Sequence, residues 1–170
     1  MPDTFIKIAT VTVGSGGAAN ISFSSIPSTY TDLKLLLSTR STTTASNLNL
    51  QFNGSSTAVY DTKRLYGNGS SALSDGFTNQ AAGYVGWQNQ STYTASTFSN
   101  IEIYIPNYAG SRQKSVSNDG VSETNATTAA MGMHAILWKN TAAITSIEMT
   151  DGGGNFVQYS TATLYGISKS

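Results

Sequence analysis

The chain contains no cysteine, which excludes a disulfide framework, a thiolate metal site and a cysteine nucleophile. Charge is scarce as well: charged residues are 11% of the chain, with 9 basic and 9 acidic side chains. A formal net charge of zero provides no basic surface for phosphates or for acidic lipids. The sequence therefore predicts no nucleic-acid partner and no membrane partner.

Long hydrophobic runs are also missing. No apolar stretch approaches the length of a membrane-spanning helix, and the first residues lack the charged start and apolar core of a secretory signal. We therefore expect the protein to be made and folded in the cytoplasm. One domain covering residues 1–170 is expected, because the length suits a single domain and no Pro-, Gly- or Ser-rich linker divides the chain.

Apolar and polar residues alternate along most of the chain, which is the period of β-strands. Nine strands are predicted, at residues 6–13, 21–26, 33–39, 48–52, 58–66, 98–105, 131–138, 144–150 and 156–167. Residues 70–96 and 114–130 lack this alternation, and we interpret both as long surface loops. The pattern predicts an all-β fold, an antiparallel two-sheet β-sandwich of jelly-roll type.

Candidates for catalytic and metal-binding residues are few. His134 is the only histidine and lies in an apolar predicted strand, so we interpret it as structural. Among the scattered carboxylates, Glu102 and Glu148 are the pair that strands could bring together, as a glycosidase requires. The glycine clusters match neither a P-loop nor a dinucleotide fingerprint. The sequence thus predicts no catalytic residue, no metal ligand, no cofactor and no enzyme activity.

One segment, residues 84–93, has the composition of a recognition surface. Aromatic rings can stack on sugar rings while neighbouring amides hydrogen-bond to hydroxyl groups. Alternatively, the aromatic side chains cover one end of the sandwich or are buried in a subunit contact. The candidate glycan or partner contacts are Tyr84, Trp87, Gln88, Asn89, Gln90 and Tyr93.

Several segments resemble a family of bacteriophage virion proteins that includes capsid decoration (cement) proteins, head fibres and tail-fibre tips. These segments are residues 21–33, 52–54, 65–69, 105–108, 138, 141–147 and 163–167. They resemble scaffold and turn positions of that family, so the resemblance implies no active-site residue. It implies a location in the virion, a homo-oligomer with a trimer favoured, and the major capsid protein or other virion proteins as partners.

Within that family, a compact decoration protein fits the chain better than a fibre. Only residues 1–20 precede the first matching segment, and a fibre needs a shaft and an attachment region. Residues 1–17 are expected to be either an N-terminal arm that pairs with a neighbour or the edge strand of the sandwich. The first hypothesis is therefore a non-enzymatic protein that stabilises the phage head. The alternative is a tail-fibre or head-fibre module that binds host surface glycan, and a weaker one is a small glycan hydrolase.

Overall fold

A computed structural model of the protein describes residues 4–44, 47–124 and 129–168. These residues form twelve β-strands and no α-helix, so the described part of the chain contains no helix that could cross a membrane. The strands are β1 (Phe5–Thr12), β2 (Asn20–Phe23), β3 (Asp32–Ser38), β4 (Asn47–Phe52), β5 (Tyr60–Gly67), β6 (Ala72–Gln80), β7 (Gly83–Trp87), β8 (Asn100–Ile105), β9 (Lys114–Ser122), β10 (Ala130–Trp138), β11 (Ile147–Asp151) and β12 (Thr161–Ile167).

Two antiparallel sheets pack face to face. The large sheet has eight strands in the order β1-β12-β3-β8-β9-β10-β5-β6, and the small sheet has four in the order β2-β11-β4-β7. This confirms the predicted antiparallel β-sandwich. Each of the nine predicted strands has a counterpart, although the one predicted at 156–167 starts only at Thr161. Phe156 instead forms isolated bridges to Ala18 and Ser41.

The core lies between the sheets, where alternate residues of each strand point inward. In the middle of the large sheet Leu33 pairs with Ile105 and Leu35 pairs with Ile103, and all four side chains are buried. Burying side chains of this size contributes about 1.5–3 kcal/mol each. The alternation of apolar and polar residues in the sequence thus corresponds to side chains that point alternately toward the core and toward solvent.

Three strands contradict the prediction of long loops. Strands β6 and β7 lie within residues 70–96, and β9 lies within residues 114–130, of which 125–128 are outside the described residues. Strand β6 shows no alternation because all nine of its residues are exposed. Strand β9 does alternate, but several of its inward-facing residues are polar, so the sequence pattern conceals it.

Lys114 is the clearest case of a polar residue in a core position of β9. Its side chain is buried, and its ammonium group donates hydrogen bonds to the carbonyls of Gly110 (2.7 Å), Ala142 (2.9 Å) and Arg112. The nitrogen also lies 5.8 Å from the ring centroid of Trp138. Burial lowers the pKa of Lys114. The lysine therefore binds two loops to the core rather than facing a ligand.

Each sheet ends in two edge strands. In the large sheet these are β1 and β6, and in the small sheet they are β2 and β7. Of residues 1–17, the structure describes 4–17, and there β1 pairs with β12 at the edge of the large sheet. Strand β7 packs over β9 and β10, so the small sheet ends before it reaches β6.

Candidate functional site

Beside β7, the edge strand of the small sheet, the inner face of the β5–β6 hairpin carries a cluster of aromatic rings around one arginine. The guanidinium carbon of Arg64 lies 4.7, 4.9, 5.0 and 5.1 Å from four ring centroids, in the order Tyr66, Phe77, Tyr84 and Trp87. A cation held this close to aromatic faces is attracted by the electrons of the rings. We call these residues, together with Asp75, the arginine cluster.

The local strand pairing explains how the cluster is assembled. Arg64 and Tyr66 are two residues apart on β5 and share the inner face. Asp75 lies directly opposite Arg64 on β6, and its carboxylate accepts two hydrogen bonds from the guanidinium, one of them at 2.8 Å. The hydrogen bonds from Arg64 lower the pKa of Asp75, so this carboxylate stays ionised.

His134 lies beneath the cluster on β10 and is buried. Its ring centroid is 5.5 Å from that of Tyr84 and 6.0 Å from that of Trp87. The side-chain amide of Asn118 donates to Nδ1 of His134 at 3.1 Å, while Nε2 has no hydrogen-bond partner among the described residues. Burial, followed by the positive charge of Arg64, lowers the pKa of His134 to about 4. His134 is therefore neutral at pH 7, as a structural histidine would be.

A glycine allows β7 to approach this histidine. Gly86 has a φ of +138°, and a Cβ atom at this position would lie 3.1 Å from Cε1 of His134. Both the conformation and the close contact disfavour any other residue here. The close approach of β7 in turn places Trp87 beside the guanidinium of Arg64.

The structure separates the six residues predicted in segment 84–93. Trp87 is half-buried in the arginine cluster, and Gln90 and Tyr93 are half-buried as well. Tyr84 is 8% exposed, and Gln88 and Asn89 are fully buried. The prediction of aromatics and amides together on one exposed surface is therefore wrong for these three residues.

Internal hydrogen bonds hold Asn89 in its buried position, whereas the buried hydroxyl of Tyr84 and both polar atoms of the Gln88 amide have no hydrogen-bond partner among the described residues. The amide of Asn89 donates to Oγ1 of Thr97 and to the carbonyl of Glu123, and its oxygen accepts from the hydroxyl of Ser122. An amide used in this way is not available to a ligand.

A second arginine fixes the loop that follows β7. Both terminal nitrogens of Arg40 donate to backbone carbonyls, namely those of Ser91 (3.2 Å), Tyr93 (2.8 Å), Thr94 (2.7 Å) and Thr97 (3.0 Å). Arg40 is itself 9% exposed. A guanidinium group carries five N–H donors in one plane, so it can hydrogen-bond to several carbonyl groups at once. The loop is therefore held to the body of the sandwich.

Arg64 and Asp75 were not among the site residues predicted from the sequence. The turn residues 67–69 and the short polar segment after them are the signal for a hairpin, and a hairpin would have placed the two charges opposite each other. The assignment of residues 70–96 to a loop hid that pairing.

A second surface lies on the opposite, outer face of the large sheet, over β5, β9 and β10. It consists of two adjoining hollows of about 510 and 300 Å³. Its most exposed apolar side chains are Leu65 (57%), Met131 (63%) and Met133 (66%). We call this surface the outer groove; its other lining residues include Lys63, Asp119 and Val121. Exposed apolar surface of this kind is typical of contact sites.

The two carboxylates considered for glycosidase chemistry lie apart. Glu102 is on the outer face of the large sheet, where it pairs with Lys34 at 2.6 Å. Glu148 is on the outer face of the small sheet, where it accepts a hydrogen bond from the Ser22 hydroxyl at 3.3 Å. These two residues cannot flank the same glycosidic bond. Nor do the described residues contain a group of three or more His, Asp or Glu side chains placed to hold a metal ion.

Comparison with known proteins finds likeness only among solved structures. No protein-family model matches the chain, and no curated protein sequence matches it. Among solved structures, the chain is similar to the galectin LEC-6 of Caenorhabditis elegans, with a TM-score of 0.39 and 12% sequence identity over 91% of this chain and 94% of the galectin.

Proposed function

We propose that this protein is a non-enzymatic structural protein of a phage particle, a homo-oligomer that binds the outside of the capsid as a decoration protein. The resemblance of its segments to virion proteins supports this role and favours a trimer. The outer groove is the observation that carries the proposal. An exposed apolar surface on a rigid eight-stranded sheet suits adhesion to another protein and needs no chemistry of its own.

The side chains of the outer groove are suited to such a contact. Methionine is flexible and polarisable, so Met131 and Met133 can adapt to an irregular partner surface. Lys63 and Asp119 stand on the same surface with opposite charges, and neither forms a salt bridge within the described residues. Each contact would be weak, but the capsid lattice repeats it many times, which multiplies the effective affinity.

Co-sedimentation with capsids that lack the protein tests this role. We expect the wild-type protein to bind saturably, at a fixed copy number per capsid, and to raise the temperature at which the particles open. Met133→Lys should weaken binding about tenfold or more, a loss of roughly 1.4 kcal/mol, because it places a charge in the apolar contact. Tyr159→Lys is the matched control, since Tyr159 is equally exposed (67%) but lies outside the groove.

Failure of the wild-type protein to bind capsids would refute the decoration role. Binding of Met133→Lys as tight as that of wild type and Tyr159→Lys would refute the outer groove as the contact and leave the role to another surface.

A second candidate is recognition of host surface glycan, and the arginine cluster favours it. The half-buried rings of Tyr66 and Trp87 lie 4.9 Å apart, and the exposed carboxylate of Asp75 belongs to the same cluster. Aromatic faces stack on the apolar faces of sugars, and a carboxylate accepts hydrogen bonds from their hydroxyl groups. In this role the group that hydrogen-bonds to the sugar is the carboxylate of Asp75. The side-chain amides of Gln88 and Asn89, predicted for this purpose from the sequence, are buried.

Glycan binding would respond to different substitutions from capsid binding. Trp87→Leu keeps an apolar side chain in the cluster but removes the stacking surface, so we expect a loss of glycan affinity of about tenfold or more. Met133→Lys lies on the opposite face of the sheet and should leave glycan binding unchanged. Equal binding by wild type and Trp87→Leu on a glycan array would refute this candidate.

A further inference from the structure

Strand β6, the second strand of the β5–β6 hairpin, is an edge strand of the large sheet. It pairs with β5 on one side, and no described strand pairs with its other side. All nine of its residues are exposed, among them Leu73 at 41% and Phe77 at 36%. A free strand edge presents a row of backbone donors and acceptors to which another strand can pair.

The other three edges are protected against such pairing. Strand β1 carries Lys7 and an irregularity between Lys7 and Ala9. Strand β2 has only four residues, and β7 has five with an irregular register and the glycine at 86. Short edges, bulges and lysine side chains are the usual protections of a sheet edge.

Strand β6 has none of these protections over most of its length. It contains no Lys, Arg, Glu or Pro, and its register with β5 is regular from Ala72 to Phe77. Its single charge, Asp75, is neutralised by Arg64 of the same chain. A strand that pairs with its own copy must avoid unbalanced like charges opposite each other, and β6 meets this condition.

We propose that β6 pairs antiparallel with β6 of a second copy of this chain, about a two-fold axis at Asp75. Such an axis keeps the inner face of one copy beside the inner face of the other. Leu73, Asp75 and Phe77 all point to the inner face, because they lie opposite the inward-facing residues of β5. In this register Leu73 of each copy lies opposite Phe77 of the other. The two exposed apolar side chains of β6 thereby cover each other.

This contact rests on the proposed function and deepens it, because it names a self-association surface of the homo-oligomer; its two-fold axis assigns a dimer, in place of the trimer that the resemblance favours. It joins the two large sheets into one continuous sheet. Ala72 lines the outer groove and belongs to β6, so the grooves of the two copies would adjoin on the same outer face. The net charge of zero leaves no long-range repulsion between the copies.

Disulfide trapping tests the register directly, because the wild-type chain has no cysteine. Leu73→Cys and Phe77→Cys proteins are prepared separately, then mixed and oxidised. The mixture should form a cross-linked dimer, while each protein alone should not. Identical residues are offset by four positions, roughly 13 Å along the strand, whereas a disulfide spans less than about 7 Å between Cα atoms. No cross-link in a mixture of two folded proteins would overturn the contact.

A charge on the edge gives an independent measurement that leaves the arginine cluster intact. Ser74→Lys should raise the dissociation constant of the wild-type dimer about tenfold or more in sedimentation equilibrium, because it places lysines along the shared edge. Thr12→Lys, on the opposite edge strand β1, should leave the constant unchanged. A wild-type monomer, or a trimer without the 73–77 cross-link, would refute the β6 contact but not the decoration role. A cross-linked dimer that fails to bind capsids would refute the decoration role and leave the contact standing.

Discussion

Acidification from pH 7 to pH 4 should destabilise the folded protein by about 3 kcal/mol through His134 alone. The pKa of His134 is about 4 in the folded state, against an ordinary value of 6.5. Between these two values the unfolded chain binds a proton that the folded chain excludes. This part of the stability is therefore fully present above pH 6.5 and is lost as the pH falls toward 4.

Urea unfolding at half-unit steps of pH measures this effect. His134 is the only histidine, so no other side chain of that type contributes to the slope. The pKa values of Asp61 and Asp75 are lowered by hydrogen bonds from Lys139 and Arg64, so their contributions are present above pH 3.8 and are lost only below it. His134→Asn keeps an acceptor for Asn118 and should be nearly insensitive to pH between 7 and 5. A wild-type stability that is equally flat over this range would contradict the burial of a neutral imidazole.

Arg64→Ala should lower the free energy of unfolding by about 3 kcal/mol. The substitution removes the cation from four aromatic rings and leaves the carboxylate of Asp75 without its partner. For a domain of this size, the loss corresponds to a fall in melting temperature of roughly 6–12 °C. Thermal unfolding followed by near-ultraviolet circular dichroism reports both the stability and the packing of the rings.

Two further variants separate charge from shape in this measurement. Arg64→Lys keeps the positive charge but loses the planar, two-pronged contact, and it should recover less than half of the lost stability. Lys63→Ala, at the neighbouring exposed position on the outer face, should change stability by less than about 0.5 kcal/mol. If Arg64→Ala and Lys63→Ala had the same small effect, the rings would not depend on the guanidinium for their arrangement.

The sequence predicted the fold wherever one strand face is apolar and the other polar. Strands β3, β4 and β8 show this alternation, interrupted in β3 only by the exposed Leu36, and their inward-facing residues belong to the core. The prediction from the sequence failed for β9, which buries the polar residues Lys114 and Asn118. It also failed for β6, in which every residue is exposed. In those strands the pairing with the neighbouring strands, and not an apolar face, determines the structure.

The candidate site was predicted only in part, for the same reason. Trp87 was identified because an aromatic residue among polar neighbours is visible in the sequence. Arg64 and Asp75 become a site only when the hairpin places them opposite each other, and the turn signal at residues 67–69 did not predict this pairing because the second strand of the hairpin lacks alternation. Gln88 and Asn89 have the composition of a recognition loop, yet the fold buries both side chains.

The order of strands in the sheets also governs how the chain folds. Of the ten neighbouring strand pairs, three join consecutive strands, namely β5–β6, β8–β9 and β9–β10. The others link distant parts of the chain, such as Phe5 with Ile167, and long-range pairing of this kind slows folding to milliseconds or seconds. The β5–β6 hairpin can therefore form early and present its free edge while the sandwich is still open. Refolding yield should then fall steeply with protein concentration, because nascent chains meet through that edge before their cores have closed.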